Sequence, residues 1–388
     1  MGISKGGNKE VFKRMNRGLL LKLLSTKQCT SRIELSRTME LSKMAISNMV
    51  GELIDRGLIV EGKVEQSEEM GRNPIGLKIS PNAPKIIGIF VFRDRCEAVL
   101  CDMALNVYKR ESLTMEFATN EKLIEMIYEL VDTMIANCSN IAGIGVASIG
   151  PIDVARGMIL QPNFFFGIEN VPIVEMLNVK YNLPVFLEND NQCGVLAEKY
   201  YGIGKDYSDI LLIGVAQGVG CGIIANNELF DNQQGLVPEF GHISIDYNGN
   251  ECVCGNKGCI ETYVGTPILL ARLREATGKY YSFKNFCEMD DNPDVQRILT
   301  DAIEKLSAAI VSTINLLNSE VIVLAYDSAY LPDSMIKRLE NKVNEIKFSD
   351  QAAPIPIKRA HFMQDAQLMG AVCVVNREIF SGNLLFNN

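Results

Sequence analysis

The residues able to do chemistry are concentrated between positions 239 and 261, a stretch that opens Glu239-Phe-Gly-His242 and closes Cys252-Val-Cys-Gly-Asn-Lys-Gly-Cys-Ile-Glu261. His242, Cys252, Cys254 and Cys259 fall within 18 residues, in the pattern His-x9-Cys-x-Cys-x4-Cys. Three thiolates and one imidazole make a full tetrahedral set for Zn2+, with no position left for a reactive water. Gly255 and Gly258 lie inside the cysteine loop, where the chain must turn tightly to bring the sulfurs onto one ion. The expected metal is a structural zinc, one per chain, whose task is to fix the flanking acids Glu239 and Glu261. A disulfide framework does not fit: the 11 cysteines are odd in number and scattered, and no secretory segment is read ahead of them.

Two further clusters invite a chemical reading. In Leu187-Glu-Asn-Asp190, Asn189 and Asp190 directly follow a short strand and open a helix. An amide beside a carboxylate suits neighbouring sugar hydroxyls, since Asp accepts while Asn both donates and accepts. The same two residues could instead cap the helix at 191–201. The glycine-rich run Gln217-Gly-Val-Gly-Cys-Gly222 lies between two strands and reads either as a phosphate cradle or as a tight β-turn.

The elements that must position these groups read as α/β. Apolar runs at Ile86–Phe92, Ala98–Met103, Ile141–Ser148, Pro184–Leu187, Ile210–Val215, Cys221–Ala225 and Glu320–Ala325 have strand length. They alternate with helical stretches near 121–137, 173–180, 191–201, 294–317 and 363–380. Mixed elements over about 300 residues imply layered lobes, most naturally two with a cleft between them. No repeat of fixed short period is visible.

Ahead of this body, Val11, Met15, Leu19, Leu20 and Leu23 set a helical rhythm over 9–25. Ser31-Arg-Ile-Glu34 is a capping box for a second helix running to about Met39. Ser42 caps a third, through about Asp55, with Ala45, Met49, Val50, Leu53 and Ile54 as the expected buried stripe. Its other face carries Ser42, Lys43, Met44, Ser47 and Asn48, groups suited to base edges and phosphates. Gly57 ends the helix; strands at Leu58–Val60 and Ile75–Ile79 flank a polar loop that contains Arg72. Helix, turn, recognition helix and wing together predict a winged helix-turn-helix that binds double-stranded DNA.

Charge supports that division. Residues 1–80 hold 14 Lys and Arg against 9 Asp and Glu, a balance of +5, whereas the rest holds 24 against 38, a balance of −14. A basic head on an acidic body directs only the head to a polyanion. At 388 residues, with 47% hydrophobic and 22% charged residues, the chain has room for two or three globular domains. The expected boundaries are 1–80 for the head, 81–195 for a first lobe joined by the C-terminal helix 370–388, and 196–369 for a second lobe with the zinc site. Pro81-Asn-Ala-Pro84 reads as the linker. No apolar run is long enough to cross a bilayer, so a cytoplasmic protein without membrane partners is expected.

Taken together, Glu239-Phe-Gly-His242, the cysteine motif through Glu261, Leu187-Glu-Asn-Asp190, Pro162-Asn163, Gly218/Gly220/Gly222 and Gly71-Arg-Asn-Pro74 resemble the ROK family of repressors, open reading frames and sugar kinases. The resemblance covers essentially the whole chain. It implies an actin-like, hexokinase-type pair of lobes, and a sugar held by Asn163, Asn189, Asp190, Glu239, His242 and Glu261. His242 would then ligate zinc by one ring nitrogen and donate to a sugar hydroxyl by the other.

The family includes both repressors and zinc-containing kinases that phosphorylate hexoses with ATP, and Asp190 matches the kinase base. The nucleotide side departs from the kinase pattern. Where the family resembles Asp-x-Gly-Gly-Thr, this chain reads Gly88-Ile-Phe-Val-Phe-Arg-Asp-Arg95, with Phe90 and Phe92 in place of an acid and a glycine. Where it carries consecutive glycines after Glu320–Leu324, this chain reads Ala325-Tyr326-Asp327-Ser328. Phosphoryl transfer depends on positioning and charge neutralisation, so two altered loops speak against ATP turnover, with Asp190 left as a non-catalytic acceptor. The expectation is a sugar-responsive repressor of carbohydrate genes, acting as a homodimer or homotetramer on an operator.

Overall fold

The computed structural model describes residues 9–63, 75–115, 119–161, 165, 167–230, 237–289, 291–348 and 353–386. Arg72 and Asn163, both expected at functional sites, lie outside the described residues.

Serine caps start the head helices. The Ser31 hydroxyl accepts the Glu34 amide at 3.3 Å and the Ser42 hydroxyl accepts the Ala45 amide at 3.2 Å, satisfying N–H groups that a helix start leaves open. Glu34 does not turn back onto Ser31, as a capping box requires. Its carboxylate takes the Thr30 amide at 2.6 Å and the Thr30 hydroxyl at 3.1 Å. The resulting helices are α1 (Lys9–Ser25), α2 (Arg32–Thr38) and α3 (Lys43–Asp55), followed by antiparallel strands β1 (Ile59–Lys63) and β2 (Ile75–Ile79). The buried stripe of α3 is Ile46, Val50 and Leu53, at i, i+4 and i+7; Ala45, Met49 and Ile54 lie to one side of it and are half-buried. On α1, Leu20, Leu21, Leu23 and Leu24 face the core, whereas Val11, Met15 and Leu19 form an exposed stripe.

Past residue 84 the chain builds a sheet from β3 (Lys85–Val91), β4 (Arg95–Cys101), β5 (Val107–Thr114), β6 (Ile141–Ser148) and β9 (Val185–Asn189), in the order β5-β4-β3-β6-β9. β3, β4 and β5 form an antiparallel meander and β6 runs parallel to β3. Helix α4 (Asn120–Ile135) packs on β4 and β5. The short pair β7 (Ile152–Asp153) and β8 (Met158–Ile159) and helix α5 (Ile173–Tyr181) lie between β6 and β9 in sequence.

Helix α6 (Asp190–Tyr201) follows β9 without a break, and a second sheet then forms from β10 (Ile210–Val215), β11 (Val219–Ala225), β12 (Glu228–Leu229), β13 (Val321–Tyr326) and β14 (Ile357–Arg359). Its order is β12-β11-β10-β13-β14. The first sheet's plan is thereby repeated: a meander whose first strand borders a later, parallel strand, with a fifth strand outside. Helices α7 (Glu261–Val264), α8 (Thr266–Thr277), α9 (Phe283–Cys287), α10 (Pro293–Leu317) and α11 (Asp333–Ile346) come from the segments around β13. In the core of this part Leu211, Ile213, Ile322 and Leu324 of the sheet meet Ile298, Leu306 and Ile310 of α10 and Leu339 and Val343 of α11. Each such side chain contributes roughly 1.5–3 kcal/mol on burial. Helix α12 (Ala366–Phe380) closes the chain.

The chain divides into two units, Met1–Glu188 with Ala371–Asn388, and Asn189–Gly370. Among the described residues no helix is long and apolar enough to cross a membrane.

Candidate functional site

The cysteine loop is folded by its own backbone. The Ile245 amide donates to the Gly258 carbonyl at 2.9 Å and the Ile260 amide to the Ile243 carbonyl at 2.9 Å, which brings His242 beside Cys259. A bridge between Glu251 and Lys257 closes the turn that holds Cys252 and Cys254. Gly258 is required here: its φ is +70°, and a Cβ would lie 1.8 Å from the Asp246 carbonyl oxygen.

The ligand atoms of His242, Cys252, Cys254 and Cys259 all lie within 4.8 Å of one another. Cys252 Sγ is 3.5 Å from His242 Nδ1, and Cys254 Sγ is 3.7 Å from Cys259 Sγ. A tetrahedral ion bound at about 2.3 Å to sulfur and about 2.0 Å to nitrogen separates two sulfurs by about 3.8 Å, and a sulfur from a nitrogen by about 3.5 Å. The four groups therefore fit one tetrahedral metal ion. The Asn256 backbone and then Cys252 pull the Cys254 thiol below its usual value, while burial and the neighbouring sulfurs push Cys259 up to about 12. With Nδ1 on the sulfur side, Nε2 is the nitrogen of His242 turned away from the metal position.

The expected acids gather next to this cluster. Glu239 leads into the single turn Phe240–His242, and Glu261 is the first residue of α7, two beyond Cys259. A Glu261 carboxylate oxygen accepts the Val219 amide at 2.9 Å. Partial desolvation raises the carboxyl of the otherwise exposed Glu239 above its ordinary value; His242 opposes this, while Glu261 and Asp190 push the same way. Asp190, Glu239, His242 and Glu261 thus share one electrostatic neighbourhood within the unit Asn189–Gly370.

At the start of α6 both readings of the sequence have a physical counterpart. Asn189 is the helix cap: its side-chain oxygen accepts the amides of Asn191 at 3.0 Å and Gln192 at 3.4 Å. Asp190 does more than cap. Its Oδ1 accepts from the Asn191 amide at 2.9 Å and from Asn191 Nδ2 at 3.1 Å, while its Oδ2 accepts from the Tyr326 hydroxyl at 2.6 Å. Spacing alone does not single out Tyr326. Its backbone, at φ 55° and ψ −135°, lies in a region that costs a non-glycine residue about 1–3 kcal/mol. The legible signal is the tyrosine in Ala325-Tyr326-Asp327-Ser328, where the resemblance implies glycines.

The glycine-rich run is a tight turn with a further task. The Ala216 amide donates to the Gly218 carbonyl at 2.8 Å to close the β10–β11 hairpin. Gly214, Gly220 and Gly222 then make room for Asn191, to which added Cβ atoms would come within 2.1, 2.6 and 2.2 Å. These three glycines let α6 lie against the sheet, with no phosphate needed to account for them. In the first unit, Phe90 and Phe92 are buried with ring centroids 5.5 Å apart, and the Arg95 guanidinium lies 4.9 Å from the Phe92 ring. Aromatic packing therefore fills this hairpin. Phe165 is buried, whereas Phe164 and Phe166 lie outside the described residues. On the head, Ser42, Lys43, Met44, Ser47 and Asn48 are all exposed.

A match to the ROK family spans residues 86–378. The chain belongs to the ROK family. It is 28% identical to the xylose repressor of Caldicellulosiruptor bescii, over 97% of this chain and 98% of that protein. It is 26% identical to the DNA-binding transcriptional dual regulator NagC of Escherichia coli, over 99% of this chain and 98% of that one. A crystal structure of a ROK family transcriptional regulator, described as a homologue of the E. coli MLC protein, superposes with a TM-score of 0.80 at 25% identity and covers 96% of this chain and 98% of its own. A ROK hexokinase from Thermus thermophilus shares the fold, with a TM-score of 0.64 at 22% identity, covering 74% of this chain and 97% of its own.

Proposed function

We propose that this ROK protein is a sugar-responsive, DNA-binding transcriptional repressor of carbohydrate uptake and catabolic genes. The observation that carries the reading is the span of each likeness. Regulators align through 96–99% of this chain, head included. The hexokinase accounts for nearly all of itself in 74% of this chain. The surplus is of the order of the N-terminal head, residues 1–80, whose exposed serines, Lys43 and Asn48 suit a nucleic-acid surface.

In this reading residues 1–80 are a winged helix-turn-helix whose third helix, through Ser42, Lys43, Met44, Ser47 and Asn48, with Arg72 from the wing, contacts double-stranded operator DNA. The body, 81–195 with 370–388 and 196–369, is the actin-like pair of lobes. The metal is zinc, held by His242, Cys252, Cys254 and Cys259, and its role is to anchor Glu239, His242 and Glu261. Together with Asn163, Asn189 and Asp190 these residues hold a sugar. The His242 Nε2–H donates to a hydroxyl while the carboxylates accept from others. Asp190 accepts and does not catalyse, which the aromatic packing at Phe90 and Phe92 supports. The protein acts as a homodimer or homotetramer, with half-sites about 34 Å apart or a multiple of it. A sugar that prefers one arrangement of the body lowers operator affinity by a coupling of about 1–3 kcal/mol, roughly 5–150-fold.

The test is selection of bound duplexes from random-sequence DNA, then anisotropy titration of the enriched duplex with and without xylose, glucose and N-acetylglucosamine. A sugar that weakens binding at least about fivefold is expected. Failure to enrich any duplex, an affinity indifferent to every sugar, or steady ATP-dependent phosphorylation of a hexose would overturn the reading.

A further inference from the structure

Tyr326 closes β13 in the middle of the second sheet, paired with Val215 of β10. A tyrosine is a poor choice for its backbone angles, so the side chain must supply something that glycine could not. Two contacts account for it. The hydroxyl donates to Asp190 Oδ2 at 2.6 Å, in a buried pair. The ring lies over Gly214, where a Cβ would come within 2.8 Å of Tyr326 Cδ2, so the missing side chain there leaves space for the ring. Asp190 is also held through its other oxygen by the backbone and side-chain amides of Asn191. The carboxylate is thus fastened on both sides, and one side is filled by an aromatic ring.

We propose that Tyr326 is the specificity-determining residue of the ligand site, and that it restricts the effector to a neutral sugar, unphosphorylated at the hydroxyl that faces Asp190. This rests on the sugar-binding reading given above. A free hydroxyl on that carbon has a proton to donate to Asp190 and needs no volume beyond its oxygen. A phosphate ester there has no proton on the ester oxygen and carries a charge of about −1.5 to −2. It places that charge beside Asp190, Glu239 and Glu261, and it needs room next to Oδ2 that the phenol ring occupies. The hydroxyl of Tyr326 has a second effect: it orients the carboxylate, so that a neutral sugar meets an acceptor already in place.

The experiment is calorimetric titration of the full-length wild type, Tyr326→Phe and Tyr326→Gly with glucose, xylose, N-acetylglucosamine, glucose 6-phosphate and N-acetylglucosamine 6-phosphate. Wild type is expected to bind a neutral sugar at least about tenfold more tightly than the corresponding phosphate. Tyr326→Gly, whose backbone angles suit glycine, should shrink that ratio by about tenfold or more. Tyr326→Phe keeps the ring and loses the donor, so it should weaken neutral-sugar binding by about tenfold with exclusion of the phosphate unchanged. The assignment is overturned if wild type binds a phosphate as tightly as its parent sugar. It is equally overturned if Tyr326→Gly leaves the ratio intact or Tyr326→Phe binds the neutral sugar like wild type. No binding of any of the five compounds by wild type would instead strike down the sugar-binding reading, and this assignment with it.

Discussion

Cys254 separates a metal clip from a set of ordinary thiols, because it is the exposed member of the cluster. An exposed thiol that binds nothing can become serine within about ±0.5 kcal/mol. A ligand cannot. Loss of one sulfur from the tetrahedron of His242, Cys252, Cys254 and Cys259 removes most of the binding free energy that the folded loop gains from the ion. At a metal concentration about a thousandfold over Kd that gain is about 4 kcal/mol. For a unit of the size of Asn189–Gly370, each kcal/mol moves Tm by about 2–4 °C. Cys254→Ser should therefore lower the body's transition by roughly 8–16 °C, and chelation of wild type should do the same. The assay is calorimetric melting of the full-length protein as purified, after chelator, and after zinc is restored, with zinc release per chain measured in parallel. Sugar response should be lost with the metal while operator binding by the head persists. Superimposable melts of wild type and Cys254→Ser, or wild type with no zinc to release, would refute the reasoning.

Other outcomes follow from the same geometry. Gly222→Ala places a Cβ 2.2 Å from the Asn191 carbonyl oxygen, a backbone atom with little freedom to yield, so a loss of about 1–3 kcal/mol or more is expected in a denaturant titration; an unchanged midpoint would contradict the packing of α6 on β11. Lys43→Ala should weaken the selected operator and random duplex alike and reduce the slope of log affinity against log salt by about 1, whereas Asn48→Ala should relax sequence preference with the slope kept. Burial alone would raise the Glu340 carboxyl, but Lys337 and the Ile357 amide outweigh it and hold the carboxyl below its ordinary value. The carboxylate therefore contributes stability above the ordinary glutamate pKa and loses it as pH falls through the lowered value. Glu340→Gln should flatten the acid limb of a stability–pH profile and leave a smaller difference from wild type at low pH than at neutral pH.

The residues that carry the sequence reading are those whose signal is local. Strands at Ile141–Ser148 and Ile210–Val215 have the bounds that their apolar runs indicate, because both are central strands buried on both faces. Ser31 and Ser42 cap the helices that they precede for a reason internal to one turn of backbone. The metal set is legible because tetrahedral geometry constrains spacing directly. What escaped depends on partners distant in sequence. Strand β5 is mostly exposed and charged, so its alternation carries little signal. Helix α11 shows Met335, Ile336, Leu339 and Val343 at helical spacing, but among many charges its stripe passes for a solvated segment. Tyr326 and Asp190 are 136 residues apart, and nothing in either neighbourhood announces the other. Gly220 and Gly222 read equally as a phosphate cradle or a tight turn because the residue they accommodate, Asn191, belongs to another element.

A fold drawn twice offers two sister hairpins, β3–β4 in the first copy and β10–β11 in the second, at equivalent places in the strand order. The second has a bare turn at Gly218, while in the first the Phe92 amide closes onto the Arg95 carbonyl beside the tilted rings of Phe90 and Phe92. The same place in the strand order is thus closed in two ways, once by bare backbone and once beside two phenyl rings and a guanidinium, so an identical strand plan presents two different turn surfaces.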